Sequence, residues 1–243
     1  MQTHTRRNAS KSLTVAMLAV LTVLGGHAAA QANPSSDAHV TRCDLFSHGM
    51  TIGHGSIART RTNRDGRLCT EIRLKMDTRV NLLLYKFTMT MDETWVMAAN
   101  ELIAYTWDST ENGKHKTIAG ALRDGTFRFE INEDGKTRVW SAPRSAYDLT
   151  SIGLPEKPLK PGEAITLRVL DPCEGLVEER LYRGTGAETL MVGKRSSACE
   201  TVAIDYAGNH LKRWQIADEF GPLILREDGD LKRGSYSRCA SGL

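Results

Sequence analysis

Three histidines stand near carboxylates in this chain. His48 and His54 flank Gly49-Met50-Thr51-Ile52-Gly53, His115 follows Asn112-Gly113, and Asp44, Glu93 and Asp108 are the nearest acids. An imidazole beside a carboxylate can move a proton near neutral pH, and several such groups together can hold a metal. The spacing works against both uses. On a regular strand His48 and His54 share a face, but six residues span about 20 Å, too far for one metal. His115 sits beside an expected turn, where an imidazole ordinarily faces solvent. Ser56, in Gly53-His54-Gly55-Ser56, lacks the strand-to-helix turn that exposes a hydrolase nucleophile. Its glycines suit a bulge or a close contact between strands instead. The expectation is no catalytic residue, no metal ligand and no cofactor.

Cysteine is the other reactive type. Cys43, Cys69, Cys173, Cys199 and Cys239 include no CxxC pair, which removes the usual spacing for zinc or thioredoxin-like chemistry. In an oxidising compartment such residues form disulfides. Cys43 with Cys69 and Cys173 with Cys199 each span 26 residues and bracket an expected hairpin. Those two bridges are favoured among the alternatives, each constraining the unfolded chain by about 3 kcal/mol. Cys239 is left as a free thiol or a terminal bridge partner.

The elements that must carry these residues are strands. Asp65-Gly66, Asn112-Gly113, Asp124-Gly125, Asp134-Gly135 and Asp228-Gly229 each interrupt strand-like sequence. Asx-Gly supplies the positive φ at both central positions that a tight hairpin turn needs. Gly208-Asn209 adds a further reversal. Between turns the apolar residues alternate: Ile72, Leu74 and Met76; Phe127, Phe129 and Ile131; Ile165, Leu167 and Val169; Val202, Ile204 and Tyr206. Period two with one polar face describes half-buried antiparallel strands. Tyr85, Phe87, Met89 and Met91 form another such stripe, continued by Trp95. With Trp214 these are the candidate ligand-contact residues, because methionine and tryptophan on a concave face offer adaptable apolar surface; filling an ordinary core is the competing role. Helical periodicity is confined to a short stretch around Ala142 to Ile152. Leu154 to Gly162 carries three prolines, which cannot donate to a ladder, so it crosses between halves.

The fold class expected is all-β and mainly antiparallel: a strongly curved sheet or open, half β-barrel with one short helix. It forms a single domain over 33–243, with sub-halves 40–153 and 163–240 joined by the crossover 154–162. Residues 1–32 are assigned to an export signal. Arg6, Arg7 and Lys11 precede an apolar run from Leu13 to Leu24, and Ala28-Ala29-Ala30-Gln31-Ala32 offers small residues for cleavage. No cysteine stands there for a lipid anchor, and no later apolar stretch is long enough to span a bilayer. The balance of 32 basic and 29 acidic residues, scattered rather than clustered, gives nucleic acid no electrostatic footprint. Aromatics at 6% also argue against a base- or sugar-stacking platform.

Several short motifs resemble a known family. Asp92-Glu93-Thr94-Trp95, then Asn100-Glu101-Leu102-Ile103, then Ser109-Thr110-Glu111-Asn112-Gly113-Lys114 are similar to an exported bacterial family. It is known as a domain of unknown function (6134, related to 3108). The opening Phe46-Ser47-His48-Gly49-Met50-Thr51-Ile52-Gly53 and the closing run through Trp214 to an Asp-Gly hairpin carry the same likeness. The resemblance implies an exported, curved antiparallel sheet, similar in outline to periplasmic lipoprotein carriers that hold acyl chains. It implies no catalytic residues. The functional expectation is a periplasmic or secreted, non-enzymatic protein whose partner is a hydrophobic or amphipathic small molecule of the envelope. The alternatives are an enzyme acting on envelope glycan or lipid, and a structural or accessory envelope protein.

Overall fold

The computed structural model describes residues 38–242, apart from 83, 84, 156, 232 and 233; the segment assigned to the export signal lies outside the described residues. Two antiparallel meanders make one sheet. The first comprises β1 (His39–Ser47), β2 (Met50–Arg64), β3 (Arg67–Leu82), β4 (Tyr85–Ala98), β5 (Glu101–Glu111), β6 (Lys114–Arg123), β7 (Thr126–Glu133) and β8 (Lys136–Pro143). The strap that follows holds a short 3-10 turn, Arg144–Ala146, and the two-residue β9 (Leu149–Thr150). The second meander comprises β10 (Ala164–Asp171), β11 (Leu176–Val192), β12 (Arg195–Tyr206), β13 (Asn209–Asp218), β14 (Gly221–Leu231) and β15 (Gly234–Gly242). Strands β1 and β15 pair antiparallel, Asp44 opposite Cys239 and Leu45 opposite Arg238, so the two meanders become one 15-stranded sheet. Its edges are β8 and β9, and it is curved without closing into a barrel.

Turn chemistry explains the zigzag. Asp65-Gly66, Asn112-Gly113, Asp124-Gly125 and Asp134-Gly135 all have positive φ at both residues and join consecutive strands. His48-Gly49 does the same with a less typical first residue. The reversal expected at Gly208-Asn209 falls one position earlier, at Ala207-Gly208. Asp228-Gly229 is not a turn. It lies within β14, with Gly229 opposite Tyr236, and a Cβ there would sit 2.2 Å from Tyr236 Cε1. Glycine is present so that the phenol ring can lie across the strand. The short helix expected around Ala142 to Ile152 contracts to the 3-10 turn, because β8 runs on to Pro143 and the backbone after Ala146 becomes extended.

The sheet rolls up on itself. Val169 and Leu170 are neighbours on β10 and so point to opposite faces, yet both are fully buried. Val169 packs with Tyr182, Ile204 and Leu211 of the second meander. Leu170 packs with Phe129, Ile131 and Tyr105 of the first. The turn between β10 and β11 reaches the same inner face, where Lys116 Nζ donates to the Cys173 carbonyl at 3.2 Å. The second meander thus tucks its free end into the hollow of the first.

At the centre of the first meander aromatic rings lie over a glycine. Phe127 and Phe129 stack at 4.4 Å between centroids, and a Cβ on Gly120 would meet them at 2.5–2.6 Å. Gly120→Ala is therefore expected to destabilise the fold by about 1–3 kcal/mol through overpacking, measured as a lower urea midpoint with an unchanged slope.

The predicted disulfides do not form; all five cysteines are free thiols. Cys43 faces the inner side of the sheet, where a Cβ on Gly55 would touch its Sγ at 3.1 Å. Cys69 opposes Thr62 on β2, seven positions from Gly55, and so faces the outer side, packed with Val96 and Ala98. Cys173 lies in the β10–β11 turn against the first meander, whereas Cys199 packs with Val192 and Trp214. Equal sequence intervals gave no information about faces.

Candidate functional site

The histidines do acquire carboxylate partners. His54 Nδ1 lies 2.7 Å from Asp44 Oδ1, and His115 Nε2 lies 2.8 Å from Asp108 Oδ1. Both pairs occupy the outer face, on one row that runs His54, Asp77, Thr90, Thr110, His115 across β2 to β6. Four interstrand spacings of about 4.8 Å hold the two imidazoles roughly 19 Å apart. An open groove beside His54 is lined by Lys75, Asp77, Asp92 and Asp108 together with Met76 and Met91, and His115 is not part of its wall. No group of three potential metal ligands gathers among the described residues. Ser56 lies on β2 in the same groove. The glycines beside it serve close packing, since a Cβ on Gly53 would meet the Asp77 carbonyl at 2.4 Å.

The inner face is different. There β2, β3, β4, β14 and β15 enclose a cavity of about 80 Å³ with walls of Ile57, Ile72, Leu74, Ile152 and Ile224. Three charged side chains line it: Arg59, Glu93 and Arg238. Alternation brings them inward, because Arg59 opposes Ile72, Leu74 opposes Glu93, and Leu45 opposes Arg238. Arg59 is 3% exposed and forks onto both oxygens of Asp218, but its Nε–H has no partner. The Trp95 Nε1–H, also buried, lies near Glu93 without reaching hydrogen-bond geometry to any acceptor. Arg238 stands 3.9 Å from Glu227, beyond hydrogen-bond length.

Glu93 is the only buried carboxylate in this wall, and Tyr105 donates its O–H to it at 2.9 Å. Burial pushes its carboxyl up to about 7, against the opposing pull of the Tyr105 donor and the Arg238 charge. A carboxyl raised in the native state contributes stability that is complete below its ordinary 4.5 and is lost as pH rises through about 7. The loss is of order 3 kcal/mol. Glu93→Gln should abolish it, so that chemical denaturation at a series of pH values between these limits gives a flat profile for the variant and a falling one for the parent.

Next to the cavity the second meander carries a buried ionic network. Arg213 Nε donates to Glu227, Tyr236 donates its O–H to the other Glu227 oxygen at 2.6 Å, and Arg213 Nη2 reaches back to the Ser151 carbonyl at 3.2 Å. Burial alone would raise the Glu227 carboxyl, but Arg213, Arg238 and these hydrogen bonds overcome it and hold the group at about 2. A second apolar space of about 280 Å³ opens beneath the proline strap, between Leu154, Pro155, Pro158 and Leu159 on one side and Val202, Ile216 and Ala217 on the other. Pro222 lines both spaces.

Of the candidate contact residues, Trp95 lines the inner cavity. Met91 is buried and Phe87 and Met89 are half-buried farther along β4; the side chain of Tyr85 lies outside the described residues. Trp214 faces the opposite side, between the Lys212 ammonium at 4.5 Å and the Arg226 guanidinium at 4.7 Å, and donates to Glu188 at 2.7 Å. It does not join Trp95. The residues that sequence reading passed over are Arg59, Ile152, Arg213, Glu227 and Arg238. A signal existed: Glu93 interrupts the stripe Met89, Met91, Trp95, Met97, and Arg213 sits between Leu211 and Gln215 on a buried face. A charge at an apolar phase of a strand marks an interior polar site.

Residues 44–153, which hold the last four residues of β1, β2 to β8 and the start of the strap, match the family model of a domain of unknown function (DUF6134). No curated protein and no solved structure matches the chain. Among the described residues no helix is long and apolar enough to cross a membrane.

Proposed function

We propose that this is an exported, non-enzymatic envelope protein that holds a small amphipathic ligand between its two meanders. The observation that carries the reading is the pair of spaces sharing Pro222: one under the proline strap with apolar walls, the other with apolar walls and three charged side chains. Concave apolar surface with a few convergent polar groups is the usual composition of a ligand site. The strap supplies a cover. Its prolines donate nothing to a ladder, and it is fastened at one end by the Gly162 N–H to the Gly184 carbonyl at 2.9 Å. The carrier-like outline implied by the sequence resemblance belongs to the same proposal, as does a periplasmic location. The separation of the two His–Asp pairs on the outer face weighs against the alternative of an envelope hydrolase. Native mass spectrometry of the protein purified from its own source tests the binding role. An adduct that organic extraction removes, and that Ala217→Trp excludes by filling the space under the strap, is expected; a clean mass in the parent protein would sink the proposal.

A further inference from the structure

The cavity wall is rich in donors and poor in acceptors. Arg59 offers Nε–H and Trp95 offers Nε1–H, both buried and unpartnered, and Arg238, whose nearest carboxylate contact is the long ion pair to Glu227 at 3.9 Å, lines the same wall with its guanidinium. The one acceptor side chain, Glu93, already receives the Tyr105 O–H. Buried donors left without acceptors are costly, so an occupant that supplies acceptor oxygens is favoured over a purely apolar one. The remaining walls are aliphatic, and the volume of about 80 Å³ admits a carboxylate with the first few carbons of its chain rather than a bulky phosphodiester head. We propose that the cavity binds the carboxylate head of an amphipathic ligand through Arg59, Trp95 and Arg238, with the apolar remainder directed past Pro222 beneath the strap. This rests on the binding role proposed above and gives it a ligand class.

Glu93 sets a condition on that binding. The groups facing it are Tyr105 from β5, Arg238 from β15, Asp171 from β10 and Cys173 from the following turn, with Arg59 from β2 across the cavity. Asp171 is already paired to Arg180 at 2.7 Å. A protonated Glu93 leaves the guanidinium of Arg238, held by Glu227 only at 3.9 Å, open to the ligand head; an ionised one repels the head and competes for the same cation. Affinity for a carboxylate should therefore fall as pH rises, although the ligand itself stays charged.

Isothermal titration with octanoate, octanol and acetate separates the possibilities. Octanoate is expected to bind at least tenfold more tightly than either comparison ligand. The octanoate affinity should also drop about tenfold or more between about pH 5.5 and about pH 8, a range in which an ordinary carboxylate remains ionised. Arg238→Gln should collapse the gap between octanoate and octanol. The pH series on the unmodified protein keeps the test decisive if that variant folds poorly. Equal binding of octanol and octanoate, or pH-independent octanoate binding, overturns the head-group assignment while leaving the amphipathic reading intact. Acetate binding as tight as octanoate supports the head-group site but removes the apolar tail, and with it the amphipathic reading. Binding of none of the three overturns both.

Discussion

Phe129→Ala should remove about 3–5 kcal/mol of stability, the range for deleting a fully buried aromatic ring from a well-packed core. Phe129 has no exposed surface, stacks on Phe127 at 4.4 Å and on Trp140 at 5.1 Å, and meets Tyr105 edge-on at 6.2 Å. Its ring also covers Gly120, so the truncated side chain would leave a void that the neighbouring glycine cannot fill. Because Leu170 belongs to the same cluster, the cavity would loosen the contact between the two meanders as well as the first meander itself. Urea denaturation followed by both fluorescence and far-ultraviolet circular dichroism checks this. A cost below about 1 kcal/mol would mean that the rolled sheet collapses around the gap and that the interior is less rigidly packed than its burial implies.

Arg213→Met should be comparably damaging, at about 3–5 kcal/mol, because it strands the Glu227 carboxylate in a buried site. Arg213 is 6% exposed and Glu227 6%, and the hydrogen bond from Tyr236 with the long ion pair to Arg238 at 3.9 Å replaces only part of what Arg213 supplies. Replacing both members, Arg213→Met with Glu227→Leu, should recover most of the loss, since the desolvation cost disappears with the pair. The parent protein should also show an acid limb. Glu227 is held at about 2 against an ordinary 4.5, so its contribution is complete above 4.5 and is lost as pH falls through about 2. That limb should be missing in the double variant. Its survival there would assign acid sensitivity to another group. Glu93 acts in the opposite direction, being complete below 4.5, so together the two groups place the parent's stability maximum near pH 4.5.

Most of the strand framework is legible in the sequence, because it rests on local rules. Four Asx-Gly dipeptides turn the chain where backbone stereochemistry demands, and the alternating stripes from Ile72 to Met76 and from Phe127 to Ile131 face inward as their period requires. The failures share one cause: they depend on what lies across the sheet. Gly229 is dictated by Tyr236, a residue on the next strand. The separation of Cys43 from Cys69 follows from strand register, which equal spacing does not report. The candidate site is less legible still. Arg59, Glu93 and Arg238 are spread over 180 residues and converge only because β1 pairs with β15. Trp95 faces the inner cavity as its stripe requires, whereas Trp214 faces the opposite side, and two tryptophans in strands say nothing of which side each occupies.

Among the described residues the pairing of β1 with β15 is the one ladder that joins residues far apart in the chain; the other ladders link strands that are neighbours in chain order. Residues 42 and 242 lie opposite each other there, while the strap at 144–163, which contains the edge strand β9, links β8 at one side of the sheet to β10 at the other. A circularly permuted chain, beginning at residue 164 and ending at 143 with the old ends joined, would visit its neighbours in unbroken succession. Low contact order of that kind speeds folding. In the natural order, the nine-residue β15 must be present before the halves can meet, so its arrival, rather than any local step, times assembly.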